Sequence, residues 1–306
     1  MITKKKLLLI PKLQKKKEVM NFLIILLAMV ILEAYGDLRS VQPDQWLRKW
    51  YGVLSQPLFL AESSTFKISV FILLPLISVS LVLLSLHYYH LDFFTLILEL
   101  LVLLYSLGRG NIDTQISLLS SGLKSKDLRG ALSDAAVFDI TYREGHSQRS
   151  EDVREATLLA LPYRLFERSF VVIFWFFLLG APMALGYRLL ALHGDMQLDQ
   201  ENDGGKDVEA RMVAKLRWLV EWLPVRLLGI TLGLVGHFSR TFSQLRQVIF
   251  CSHTSASDLL CRCVGAYTDG QDGDPSNRAA IVNVTGLFRR AMTAWLVIIA
   301  VLVVIG

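Results

Sequence analysis

Long apolar segments are the feature that most limits how this chain can fold. Phe66–Leu86 reads FKISVFILLPLISVSLVLLSL, and about 20 helical residues span roughly 30 Å, the thickness of a bilayer core. Leu91–Leu107 follows after a short HYYH turn, and Phe170–Leu190 and Met292–Ile305 are similarly apolar. Lipid offers no partners to free backbone groups, and no extended strand pattern appears in the sequence. We therefore expect an all-α, polytopic helical membrane protein with cytoplasmic amphipathic helices.

Composition supports a membrane protein and excludes several other classes. Of the 306 residues, 53% are hydrophobic and 19% are charged, whereas a soluble domain is about a quarter charged. The net charge of +5 is typical of the positive bias of cytoplasmic loops. No basic stripe with interleaved aromatic residues appears, so we expect no nucleic-acid partner. Three clustered cysteines, Cys251, Cys261 and Cys263, are too few for a disulfide framework.

Two further apolar segments have an ambiguous relation to the membrane. Phe22–Leu32 contains only about eleven apolar residues, which is too short to cross comfortably. Leu219–Gly236 is long enough, but it contains Glu221, Pro224 and Arg226. A proline in a membrane helix needs neighbours or water to satisfy the freed carbonyl. Both segments are therefore expected to be half-inserted or packed inside a bundle, and the number of crossings stays open.

Charge distribution predicts how the chain is oriented in a membrane that it crosses several times. Arg109–Arg168 contains nine Lys or Arg residues and is expected in the cytoplasm, as is the basic stretch Arg240–Arg290. Met20 reads as a natural start, and His193–Ala210 reads as a charged linker. The chain is therefore expected to begin with a dispensable basic leader (1–19), followed by an apolar segment with a transmembrane hairpin (20–107) and a cytoplasmic helical region (108–168). Its second half is expected to contain a transmembrane helix, a linker and a Pro-bent helix (169–236), then a cytoplasmic loop with helices (237–290) and a C-terminal transmembrane helix (291–306).

Charged residues inside the apolar segments are the strongest chemical signal. Glu33, Glu99 and Arg226 each interrupt an apolar run, and Arg188 lies toward the end of one. A charge at a helix centre costs about 2.5–3.5 kcal/mol on insertion scales, so such residues usually face partners. Arg226 and Arg188 would hold the phosphate or carboxylate of a small anionic ligand, or else form structural ion pairs with Glu99 or Glu33 or reach the headgroups. Glu221 is one turn from Arg217 and is expected to pair with it locally.

Known catalytic and metal-binding patterns are missing from the sequence. CSHTSASDLLCRC has one-residue gaps within its Cys and His pairs, whereas zinc ligands recur at gaps of two to four residues. SLGRGN and DGGK do not match a phosphate-binding loop, and no nucleophile–base order is present. We expect no metal, no cofactor and no catalytic residue of these kinds.

One block carries a resemblance to a known family. EWLPVRLLGITLGLVGH (Glu221–His237) and FCSHTSASDLL, with His253, Thr254 and Ser255, are similar to segments of the AmpE family. The resemblance extends over most of 20–306 and implies an inner-membrane protein that modulates β-lactamase induction alongside cell-wall recycling. It also implies a functional link to a cytoplasmic muropeptide amidase (AmpD). The lipid bilayer is the other expected partner.

A more distant resemblance is to the adenosylcobinamide-phosphate synthases of cobalamin biosynthesis. FWFFLLGAPMALGYRLL (Phe174–Leu190) resembles their G-A-P-x-A-L-x-Y-R run. Tyr163 and Arg164 stand where these enzymes keep a Glu-Asn pair, and only Glu167 keeps a carboxylate. The resemblance therefore implies a regulator or binder on an enzyme-like scaffold. The alternatives are a divergent amide-forming membrane enzyme and a structural membrane protein whose buried charges only fix helix packing.

These observations predict a polar pocket inside the membrane region, kept for ligand sensing or partner docking. The expected lining residues are Arg226, Arg188, Arg164, Glu167 and Asp195.

Overall fold

The computed structural model describes residues 2–35, 45–54, 64–107, 150–198, 207–249, 251, 254–268 and 278–305. Every regular element within these ranges is helical, which confirms the all-α prediction. The helices are α1 (Ile2–Tyr35), α2 (Gln45–Leu54), α3 (Ser64–Tyr88), α4 (Asp92–Ser106), α5 (Ser150–Leu165), a π-helical turn (Phe166–Phe170), α6 (Val171–Leu179), α7 (Ala181–Leu198), α8 (Asp207–Val235), α9 (Phe238–Val248), α10 (Ala256–Thr268) and α11 (Arg278–Ile305).

Four helices are long and apolar enough to cross a membrane. They contain the segments Lys15–Tyr35, Phe66–Tyr88, Glu209–Val235 and Ile281–Ile305. The expectation that the first apolar segment is too short to cross is wrong, because the helix continues on both sides to give a span of 21 residues. The last segment is likewise longer than its apolar run, with 25 residues.

The third apolar segment, Phe170–Leu190, is not one helix. α6 ends at Leu179, Gly180 has φ +87°, and α7 begins at Ala181. Glycine at positive φ ends helices readily, and Pro182 suits the first turn of the next helix. The predicted linker His193–Ala210 is also wrong at both ends, since α7 continues to Leu198 and α8 begins at Asp207. By contrast, α3 and α4 do form the expected helical hairpin, although α4, with 15 residues, is not among the helices long enough to cross a membrane.

The described chain divides into two compact units. The first consists of Met1–Arg109, Val171–Val220 and Ile298–Gly306. Within it, α7 packs against α3, α4 and α6, and α1 packs against α4 and α6. Gly186 allows the close approach of α7 and α3, because a Cβ there would lie 3.1 Å from Cδ2 of Leu76.

The second unit consists of Gly110–Phe170 and Glu221–Val297. Its described helices include α9 and α10, which pack together, and α5, which packs against α10. Gly229 of α8 lies where a Cβ would be 3.0 Å from side-chain carbons of both Leu245 and Leu259. Residues 108–149 of the region 108–168, which is expected to be helical, lie outside the described residues. The described part of that region contains α5, from Ser150 to Leu165, and the π-helical turn, which agrees with the helical prediction.

Candidate functional site

The residues predicted to line a pocket belong to both units. Arg164, Glu167 and Arg226 lie in the second unit, whereas Arg188 and Asp195 lie in the first.

Arg226 is buried, with 5% of its surface exposed, and its guanidinium binds backbone oxygens. Nε donates to Ile249 O at 2.6 Å, Nη2 donates to Cys251 O at 2.7 Å, and Nη1 donates to Trp222 O at 2.8 Å. The guanidinium carbon also lies 4.1 Å from the Trp222 ring centroid. Ile249 is the C-cap of α9, where carbonyls lack helical partners and attract cations. Arg226 therefore holds the segment after α9 against α8.

Glu221 lies on the same helix and is also buried, with 3% of its surface exposed. The Tyr163 hydroxyl donates to both carboxylate oxygens, at 2.9 and 3.2 Å. This bond joins α5 to α8, although the two residues are 58 positions apart. Sequence spacing suggested only the local partner Arg217, so this contact was not predicted.

An ion pair joins the end of α5 to the π-helical turn that follows it. Nη1 of Arg164 lies 2.7 Å from Oε2 of Glu167, and the two side chains are 14% and 3% exposed. Such turns add one residue to the helical repeat and occur frequently at functional sites. Arg164 and Glu167, both predicted to meet a ligand, thus bind each other.

In the first unit, Arg188 is buried and lies close enough to Tyr105 for its charge to act on the phenol. Trp46 Nε1 donates to the same phenol oxygen at 3.1 Å. Asp195 lies 4.0 Å from Nη1 of Arg217. The structure thus places both predicted residues of this unit among polar neighbours.

A polar cluster next to Asp195 was not predicted. His193 is 1% exposed, and its ring centroid lies 4.9 Å from that of Phe71 and 5.2 Å from that of Tyr51. The Tyr51 hydroxyl donates to Oε2 of Glu209 at 3.3 Å. Burial lowers the pKa of His193, and the charge of Glu209 opposes this shift. We call Tyr51, His193 and Glu209 the His193 cluster.

Glu33 and Glu99, the acidic residues that interrupt two other apolar segments, differ in their exposure and in the charges near them. Glu33 is exposed near the end of α1. Glu99 is partly buried on α4, where the nearby charge is that of Lys17 on α1. An exposed ion pair of Lys16 with Asp92, at 3.4 Å, joins the same two helices. Such exposed pairs contribute about 1 kcal/mol at most.

The loop before α10 contains a helix cap. Ser255 Oγ accepts the Asp258 N–H at 3.1 Å and thereby caps α10. Thr254 is partly buried, and His253 lies outside the described residues. Farther along α10, burial raises the pKa of the Cys263 thiol to about 12. The loop residues Thr254 and Ser255 thus have a structural setting, with Ser255 in a defined role.

A comparison with known protein families gives one match. The model of the family described as regulatory signalling modulator protein AmpE matches residues 20–306. Neither a curated protein nor a solved structure matches the chain. The match covers nearly the whole sequence, so the chain belongs to the AmpE family of regulatory signalling modulator proteins.

Proposed function

We propose that the protein modulates β-lactamase induction from the bacterial inner membrane, in connection with cell-wall recycling, and does so without catalysis. Membership of a family of signalling modulators supports the regulatory role. Four helices capable of spanning a bilayer support the multi-pass membrane location. The link to a cytoplasmic muropeptide amidase is part of the same proposal.

The proposal that the protein is not an enzyme rests on the partners of the polar side chains around the π-helical turn. Tyr163 and Arg164 occupy the positions where the cobinamide synthases keep their Glu-Asn pair. Tyr163 binds Glu221 at 2.9 Å, and Arg164 binds Glu167 at 2.7 Å. An amide-forming enzyme needs groups that meet substrate and nucleotide in the transition state. Here these side chains join parts of the protein to each other, which favours a regulator.

The small anionic ligand remains part of the proposal, and Arg188 is its best anchor. Arg226 already donates to three carbonyl oxygens, whereas Arg188 is buried and lies close enough to Tyr105 for its charge to act on the phenol. A guanidinium recognises phosphate or carboxylate through paired N–H donors. The Tyr105 hydroxyl, which already accepts the Trp46 indole N–H, would donate its own proton to the anion in a neutral hydrogen bond.

The experiment is complementation of a deletion strain with an inducible β-lactamase. Native protein, Arg188→Gln, Arg188→Lys and the exposed control Arg262→Gln are compared for membrane abundance and for β-lactamase activity with and without inducer. We expect Arg188→Gln to accumulate normally and change the induction ratio, while Arg262→Gln behaves as the native protein. Normal induction in the deletion strain itself would overturn the proposed function. Normal induction by both Arg188 variants would overturn only the anion site.

A second measurement separates the regulator from the enzyme. The chain is expressed in a strain that lacks its adenosylcobinamide-phosphate synthase, and growth is scored on medium that requires cobalamin synthesis. We expect no growth although the protein is present in the membrane. Growth would contradict the non-catalytic proposal.

A further inference from the structure

An exposed aromatic pair lies on α9. Phe238 is 53% exposed and Phe242 is 43% exposed, and their rings stack with centroids 5.2 Å apart and planes at 16°. Two phenyl rings that stay in water lose the stabilisation that burial would give them, which is about 25 cal/mol per Å² of apolar surface. Such paired apolar exposure marks a contact surface.

The rest of α9 places positive charge beside this pair. Leu245 and Val248 are buried, and α9 packs against α10. Successive residues turn by about 100°, so Arg246 follows Phe242 by one turn on the same side. Arg246 is exposed, and FSRTFSQLRQV contains no acidic residue. An apolar pair flanked by positive charge, with no acidic residue on the same helix, complements a surface with an apolar interior and anionic groups above it.

The position of α9 in the chain identifies that surface. The candidate span of α8 ends at Val235, and α9 begins at Phe238. Three residues of backbone reach at most about 10 Å. If the end of α8 lies at the edge of the hydrocarbon core, Phe238 falls within reach of the headgroup layer, which begins there. The aromatic pair is thus continuous with a membrane-spanning helix.

We propose that α9 is an interfacial helix that binds anionic phospholipid. Phe238 and Phe242 insert at the boundary between acyl chains and headgroups, and Arg246 contacts lipid phosphates. Phe on the apolar face and Arg beside it are the residues that such helices use. This lipid contact is independent of the regulatory proposal and concerns a different element.

The test replaces Phe242 with the photoreactive analogue p-benzoylphenylalanine in the full chain, reconstituted in vesicles of phosphatidylcholine and phosphatidylglycerol. The matched control carries the analogue at Gln244, which is exposed on another side of α9. After illumination, intact mass spectrometry measures lipid adducts. We expect an adduct yield at position 242 at least several-fold above that at 244. A repeat at position 238 provides a second reading if the first variant fails to fold.

Equal yields at both positions, or crosslinked protein dimers in place of lipid adducts, would overturn the proposal. The charge is tested by adding Arg246→Gln to the labelled chain, with Arg262→Gln as control. One basic side chain near an anionic surface gives up to about fivefold enrichment. We expect Arg246→Gln alone to lower the ratio of phosphatidylglycerol to phosphatidylcholine adducts by up to this factor. An unchanged ratio would contradict the role of Arg246.

Discussion

Arg226 and Cys251 are 25 residues apart, and Nη2 of the arginine donates to the cysteine's carbonyl oxygen at 2.7 Å. With the bond to Ile249 O at 2.6 Å, this contact fixes the chain where it leaves α9. An arginine in an apolar helix can thus be retained because backbone oxygens need a cation. The partner of a buried charge need be neither a carboxylate nor a ligand.

Replacing Arg226 by Gln should destabilise the second unit. Hydrogen bonds to a charged group contribute about 1.5–3 kcal/mol each, so we expect a loss of about 3 kcal/mol in the free energy of unfolding. Arg226→Lys should recover part of it, because an ammonium group cannot reach all three oxygens in one plane. Thermal denaturation in detergent measures the loss, and Arg240→Gln, exposed on α9, is the control. Equal melting temperatures for the Arg226 and Arg240 variants would contradict the structural role.

Gly229→Ala should lower stability, although alanine favours helix. The new methyl would lie 3.0 Å from Leu245 Cδ1 and Leu259 Cδ2, and overpacking costs about 1–3 kcal/mol. Gly265→Ala in α10 meets nothing within 4 Å, so it should gain up to about 1 kcal/mol of helix propensity. Melting temperatures of the two variants should therefore shift in opposite directions. A stabilised Gly229→Ala would show that α8 does not approach α9 and α10 this closely.

Acidification should destabilise the first unit through His193. Burial keeps its folded pKa below the usual value of 6.5, so the folded state prefers the neutral ring and the unfolded state binds the proton first. Stability from this group is therefore complete above the unfolded pKa and falls as the pH drops through it, levelling off below the folded pKa. We expect His193→Gln to flatten the loss of stability that begins as the pH falls below about 7.5. His237→Gln, exposed before α9, should retain the slope; identical profiles for native protein and His193→Gln would refute the assignment.

Asn21→Leu should weaken the joint between α6 and α7. Asn21 Nδ2 donates to Phe177 O at 3.3 Å and to Phe176 O at 3.4 Å, two carbonyls in the last turn of α6, of which Phe176 O also accepts the Gly180 N–H at 2.8 Å. Losing this donor in an apolar surrounding costs about 1–3 kcal/mol. Ser78→Ala, which removes an exposed bond within α3, should stay within about 0.5 kcal/mol. Unfolding midpoints in denaturant measure both, and matching values would contradict the role of Asn21.

Hydropathy predicted the helical class and the α3–α4 hairpin, because membrane length and apolar composition are properties of local sequence. The same signal missed the break at Gly180, since an apolar run hides a helix end. Gly180 followed by Pro182 was the available indication: glycine suits the residue after a helix, and proline suits the first turn of the next. Hydropathy alone therefore gave the wrong prediction for this segment, although its glycine and proline indicated the helix end.

The candidate site was predicted less well than the fold. Burial of Arg226 was expected, but its acceptors are backbone oxygens, which have no signature in the sequence. The His193 cluster combines residues from α2, α7 and α8, and His193 itself was read as part of a linker. Tyr163 and Glu221 are similarly distant in sequence. Contacts between helices depend on packing that residue spacing along one helix cannot reveal.

The amide of Asn21 has a consequence for biogenesis. Its nearer acceptor, Phe177, is made 156 residues later, so this hydrogen bond at the end of α6 forms only when the N-terminal helix is in place beside α6. Insertion of α1 must therefore precede or accompany maturation of α6 and α7. A protease that removed α1 after export would also remove this hydrogen bond from the distant end of α6.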